Sequence, residues 1–274
     1  MRPILFEIFD VNVPSYAVAM VLGYCVALWV LMRLSRDQDG LEGAQVWDLF
    51  IVMVVSSIIG SKIGHTLFEA PGHQTADGQP INSLVELLTE DPWHWMRLGE
   101  GGYVWYGGML AALGTALFYF YRRPQLDAWL YSDLFAPAIM AGAVVGRLGC
   151  FLAGCCHGEP TTLPWGVHFP RLDGPVHPTQ LYDAGIAGVL ALGLWLRFGR
   201  RRFVGENIAL LLISYPILRA TTELFRGDAD RGAFGPLSTS QWISIPLLLI
   251  GLAMYVRRAK ADVAPSTPEP EVVS

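Results

Sequence analysis

The chain has 274 residues, of which 53% are hydrophobic and only 16% charged, and its mean hydropathy is +0.39. Apolar runs of about 20 residues recur along its whole length, which excludes a soluble globular domain and marks an all-α, polytopic integral membrane protein. The net charge of −5 says little about partners, and no nucleic-acid partner is expected.

Seven spans are predicted, at roughly 14–33, 45–68, 103–121, 131–152, 180–198, 206–225 and 241–256. The first is too long for a signal peptide and no small-residue cleavage site follows it, so it is expected to be retained. Arg33 and Arg36 follow the first span, Arg122 and Arg123 the third, Arg197, Arg200, Arg201 and Arg202 the fifth, and Arg257, Arg258 and Lys260 the seventh. Eleven of the 19 basic residues thus lie beside alternate loops. The positive-inside rule puts those loops in the cytoplasm, the N-terminus outside and the C-terminus inside. Residues 1–260 read as one polytopic membrane domain with no internal boundary or repeat. The outer loop 69–100 contains SLVELLTEDPWHWMRL, read either as a helix on the membrane surface or as a solvated connector. Residues 261–274 are Pro-rich and apolar-poor, and a disordered cytoplasmic tail is expected there.

Three spans carry a cation inside otherwise apolar sequence: Lys62 in the second, Arg147 in the fourth and Arg219 in the sixth. A charge within hydrocarbon costs a few kcal/mol even on lenient scales, so each marks a functional site by default unless it snorkels to the interface. All three spans run outward in this topology, each cation about 5–7 residues before the outer end, at ~1.5 Å per residue. Tyr16 and Tyr106 open inward-running spans, and His177 just precedes the fifth, so polar chemistry converges on the outer half. Few buried carboxylates are available in the sequence, and a lipid phosphate is the expected anion. Arg219, Glu223 and Arg226 fall on one helical face, where Glu223 can hold Arg219 in place. Arg147 lies in Gly146-Arg147-Leu148-Gly149, whose glycines permit close approach by a helix or a ligand. Its guanidinium fork matches a phosphate bidentately.

The most specific string is His177-Pro178-Thr179-Gln180-Leu181-Tyr182-Asp183. It resembles the H-P-[ST]-Q-L-Y-E motif of bacterial prolipoprotein diacylglyceryl transferases, with Asp183 in place of Glu. Tyr16 resembles that family's Tyr at the head of span one, and Gly60-Ser61-Lys62 its second span, where an Arg is common at the Lys62 position. Gly107-Gly108-Met109 resembles its paired glycines, Asp133 with Ala136-Pro137 its fourth-span entry, Gly146-Arg147-Leu148-Gly149 its G-R-x-G core, and Arg219, Glu223 and Arg226 its R-x3-E-x2-R pattern.

The resemblance implies a multi-pass protein of the bacterial inner membrane. It implies transfer of diacylglyceryl from phosphatidylglycerol to the lipobox Cys thiol of a prolipoprotein signal peptide, leaving glycerol phosphate. Arg147, Arg219 and Tyr106 are then the catalytic candidates. Tyr16, Lys62, Gly107, Gly108, Gly149, His177, Gln180, Tyr182, Glu223 and Arg226 are the substrate-binding candidates. No cofactor or metal is assigned. Where the family pattern resembles G-N-F-x-N-G-E-x-x-G, this chain has Cys150, Ala153 and Cys155 at the two Asn positions and the Glu, and Tyr106 replaces the family His.

Cys25 reads as a packing residue. Cys150, Cys155 and Cys156, near His157, admit a disulfide from Cys150, a lipid-facing or catalytic thiol, a zinc site or plain packing. Two alternatives to the main reading stand: a paralogue that uses another acceptor, and a non-catalytic protein that binds or transports anionic phospholipid. No nucleotide loop, zincin motif or broken-helix repeat points to a pump, metalloprotease or secondary transporter.

Overall fold

The computed structural model describes residues 3–8, 11–36, 38–68, 89, 104–170, 172–226, 233–234 and 237–263. Among them run seven helices: α1 (Ser15–Ser35), α2 (Gly43–Phe68), α3 (Trp105–Arg122), α4 (Ala128–Ala153), α5 (Thr179–Phe198), α6 (Glu206–Glu223) and α7 (Thr239–Val263). Each coincides with a predicted span to within a few residues. α7 runs on to Val263, past the boundary read from composition. The segment read as a surface helix lies outside the described residues, as does 264–274.

Five helices are long and apolar enough to cross a membrane: α1, α2, α4, α5 and α7. α3 and α6 are 18 residues each and fall short by composition, because α3 ends on Arg122 and α6 carries Glu206, Arg219 and Glu223. Three two-stranded antiparallel pieces flank the helices: β1 (Ile4–Ile8) with β2 (Val11–Pro14), β3 (Val167–His168) with β4 (Pro175–Val176), and β5 (Ala233–Phe234) with β6 (Leu237–Ser238). Such short strands leave no periodicity to read in the sequence.

The helices sort into two compact units, residues 42–127 and the remainder. In the smaller unit α2 packs on α3 across glycines. A Cβ on Gly107 would run into the Gly60 carbonyl, and one on Gly108 into the Ser61 hydroxyl. In the larger unit α4 is the hub, against α1, α5 and α6, while α7 covers α6. The α1–α4 seam is built from small residues: a Cβ on Gly23 would sit 3.0 Å from the Gly142 oxygen. Without a hydrophobic driving force in lipid, such close backbone approach is what holds helices together. The α4–α5–α6 core is Ala136, Met140, Ala187, Leu194 and Leu211.

At the start of α4 the fully buried Asp133 caps α6 from a neighbouring helix. Its two oxygens accept from Gly205 N at 2.7 Å and Ile208 N at 3.0 Å. These are two of the donors a helix start leaves unpaired. Arg201 lies 3.7 Å from Asp133 and also donates to Gln38 and the Phe198 carbonyl. The buried Glu206 accepts from Arg197 at 2.5 Å and from Arg202 N at 2.6 Å. Arg258 donates to the Val204 carbonyl and lies over the Trp129 ring. Basic residues that follow α5 and end α7 therefore meet at one end of the larger unit.

Candidate active site

Arg147 lies 14 residues beyond Asp133, about 21 Å along the α4 axis. There the chain assembles a second charge network. Arg147 Nη1 is 3.2 Å from Asp183 Oδ2 on α5, and Arg226 Nη1 approaches the same oxygen at 3.7 Å. Arg219 is held by Glu223 at 2.7 Å and donates to the Thr222 hydroxyl at 3.0 Å. Arg226 also acts electrostatically on Glu223, and Ser238 and Ser240 hydrogen-bond to that carboxylate. Among the described residues the charges alternate in the order Arg147–Asp183–Arg226–Glu223–Arg219.

The carboxylates that seemed scarce in the sequence are present. Asp183, noted there only as a motif substitution, is the partner of two arginines. Sequence reasoning missed this role because positions 147 and 183 meet only through α4–α5 packing; the one signal was the acidic residue that closes the motif. Tyr215, on α6 one turn before Arg219, lies in electrostatic reach of Arg147 and was also missed. Arg147 is the open end of the network. Its side chain is 26% exposed, against 10% for Arg219 and 2% for Arg226. An anion can therefore reach its fork without the network being dismantled.

The motif that begins at His177 builds the wall of this site. The segment between α4 and α5 folds back on itself, with Gly158 N donating to the His177 carbonyl at 2.8 Å and His177 N to the Glu159 carbonyl at 2.9 Å. Glu159 N donates to the Phe225 carbonyl at 3.0 Å, which ties this segment to the end of α6. Only glycine fits at 158, since a Cβ there would strike that same Phe225 carbonyl. Tyr182 OH accepts from Trp165 Nε1 at 2.8 Å and lies 3.2 Å from His177 Nδ1, and Phe225 packs on both rings.

Thr179 and Gln180 are fully buried and donate to the carbonyls of Cys156 at 2.7 Å and Cys155 at 2.6 Å. Among the described residues no donor reaches the buried Gln180 Oε1. Thus the amide nitrogen of Gln180 pins the protein's own loop.

The other predicted residues fall in distinct places. Tyr16 starts α1 beside Gly149 and lies in electrostatic reach of Cys150, Cys155 and Cys156. Gly149 itself sits at a helix contact, where an added Cβ would meet the Ala19 side chain. Gly107 and Gly108 likewise serve α2–α3 packing, so all three glycines are accounted for by close helix approach. Lys62 is buried on α2 in the smaller unit, and its carbonyl accepts from the Thr66 hydroxyl. Tyr106 opens α3 in that unit, 36% exposed, with its ring edge-on to Trp105 at 5.2 Å. The four cysteines are free thiols. The sulfurs of Cys150, Cys155 and Cys156 converge, whereas His157 lies against the Phe169 ring.

Comparison with known proteins places this arrangement. The family model described as "Prolipoprotein diacylglyceryl transferase" matches residues 3–257. The chain belongs to the prolipoprotein diacylglyceryl transferase family. A phosphatidylglycerol–prolipoprotein diacylglyceryl transferase of Legionella pneumophila (strain Paris) is 31% identical over 93% of this chain and 96% of its own length. The same-named protein of Polynucleobacter asymbioticus is 35% identical over 78% of each. That of Clostridium tetani is 29% identical over 93% of this chain.

Proposed function

We propose that this chain is a transferase that moves the diacylglyceryl group of phosphatidylglycerol onto the lipobox cysteine of a prolipoprotein signal peptide. The observation that carries the reading is the Arg147–Asp183–Arg226 cluster: guanidiniums set against a buried carboxylate, with that of Arg147 partly exposed and open to a ligand. Similarity to phosphatidylglycerol–prolipoprotein diacylglyceryl transferases over most of the chain supports it.

Arg147 takes the lipid phosphate through its fork, and Arg219, fixed by Glu223 and Thr222, stabilises the charge that develops there. The acceptor sulfur attacks the glycerol carbon that carries the phosphate ester. The C–S bond forms as the C–O bond breaks, and the electron pair leaves on glycerol phosphate. The thiol proton departs to a base or to solvent, eased by the positive field. Gln180 Oε1 accepts from a head-group hydroxyl, and the His177–Tyr182–Trp165 wall shapes the entrance.

The same reading places all seven helices across the cytoplasmic membrane, with the N-terminus outside and the C-terminus inside. The gathering of Arg197, Arg201, Arg202 and Arg258 at the Asp133 end supports that orientation. The Arg147 end then faces outward, where secreted lipoprotein precursors emerge.

The test is incubation of the purified protein with phosphatidylglycerol radiolabelled in its acyl chains and a lipobox peptide. Label in a thioether on the peptide cysteine, with stoichiometric glycerol phosphate, is the expected result. Unlabelled peptide alongside intact phosphatidylglycerol would contradict it.

A further inference from the structure

The transfer reaction makes no use of the cluster at the end of α4. Cys150 closes the last turn of the helix, and Cys155 and Cys156 follow in the loop. Their three sulfurs lie within 4.8 Å of one another. Cys150 is buried, Cys156 half-buried and Cys155 exposed, so the cluster has a closed floor and an open side.

The loop is held in this shape from several directions. Cys155 N donates to the Cys150 carbonyl at 3.2 Å, and Gln180 and Thr179 grip the Cys155 and Cys156 carbonyls. Cys156 has φ +62°, a left-handed conformation that a non-glycine residue adopts only when its surroundings impose it.

We infer that Cys150, Cys155 and Cys156 form a binding site for a thiophilic d10 metal ion, Zn(II) or Cu(I). With Zn–S bonds of about 2.3 Å, tetrahedral sulfurs stand ~3.8 Å apart, so a contraction of about an ångström completes the site. A disulfide would use two of the sulfurs and leave the convergence of the third unexplained, and Cys155 and Cys156 are chain neighbours. Each thiol releases its proton to solvent as its bond to the metal forms, and no electron is transferred. Three thiolates leave residual negative charge on the bound ion. Arg147, one turn before Cys150 on α4, supplies a positive charge near the site. The fourth position, on the exposed side, is left to water or a small ligand. His157 does not supply it, being turned to Phe169.

The experiment uses the full-length protein in detergent, reduced and under argon. Co(II) serves as the spectroscopic probe for Zn(II), and Cu(I) retention against a chelator is the second arm. Expected is one equivalent of metal, with thiolate-to-Co(II) charge-transfer bands that Zn(II) bleaches, or tight Cu(I) retention; which arm responds assigns the ion. Cys150→Ser and Cys155→Ser should each weaken binding at least tenfold, while Cys25→Ser leaves it unchanged.

Alkylation of the wild-type protein, read by mass spectrometry, gives the same answer without a variant. Bound metal should shield Cys150, Cys155 and Cys156 and leave Cys25 reactive. Failure of the reduced wild-type protein in both arms would overturn the inference. So would binding that survives both serine variants, or equal alkylation with and without metal.

Discussion

The two ends of α4 each bury a charge network, and they differ in what the central carboxylate holds. At the Asp133 end the carboxylates brace the fold: Asp133 takes two backbone amides that start α6, and Glu206 takes the Arg202 amide and the Arg197 guanidinium, whose side chain is 35% exposed. At the Arg147 end Asp183 instead lies against two guanidiniums, those of Arg147 and Arg226, and the first of them is partly exposed. A carboxylate spent on backbone amides holds the fold, whereas one that orients guanidiniums can set them for a ligand. Burial alone therefore does not mark a functional charge in this protein, since Asp133 and Glu206 are more deeply buried than Arg147.

Substitutions at the two ends should separate accordingly. Arg147→Ala, or Lys, which keeps charge but loses the fork, should lower peptide lipidation by about a hundredfold or more with insertion and helicity intact. Assays in proteoliposomes read this directly. Asp133→Asn should do the reverse. It should lower stability by about 2 kcal/mol, through the lost cap and the unpaired Arg201, seen as an earlier thermal unfolding transition, with turnover per folded molecule unchanged. Asp183→Asn frees two guanidiniums from their orienting carboxylate. Turnover should fall by about tenfold without weaker phosphatidylglycerol affinity, as expected for an interaction that acts through positioning. Asp183→Glu, the motif's own residue, should retain most activity. The smallest effect is expected at Tyr106, read from the sequence as a head-group contact. Tyr106→Phe should reduce turnover by about threefold, roughly the worth of one modest hydrogen bond. Unchanged kinetics there would leave the ring only an anchoring role.

The helices were legible because spanning a membrane demands long apolar runs, and those runs survive in the sequence whatever the tertiary context. Arg147, Arg219, Glu223 and the motif at His177 stood out for the complementary reason that charge is rare in such runs. Pairing was not legible. Asp183 could be assigned to Arg147 only once α5 packed on α4. Gly107, Gly108 and Gly149, read as substrate-binding, each lie at a helix contact, and a glycine's sequence signature is the same for close approach by a helix or by a ligand. Among the cysteines the sequence left His157 as a fourth ligand, and the turn after Cys156 takes it away to Phe169.

The claim that the open network holds the lipid phosphate is tested most directly by native mass spectrometry of the protein released from bilayers of mixed phosphatidylglycerol and phosphatidylcholine. The wild-type protein should retain one phosphatidylglycerol in preference to phosphatidylcholine, Asp133→Asn should keep that preference, and Arg147→Ala should lose it. A preference undiminished in Arg147→Ala, or abolished equally by Asp133→Asn, would contradict the account.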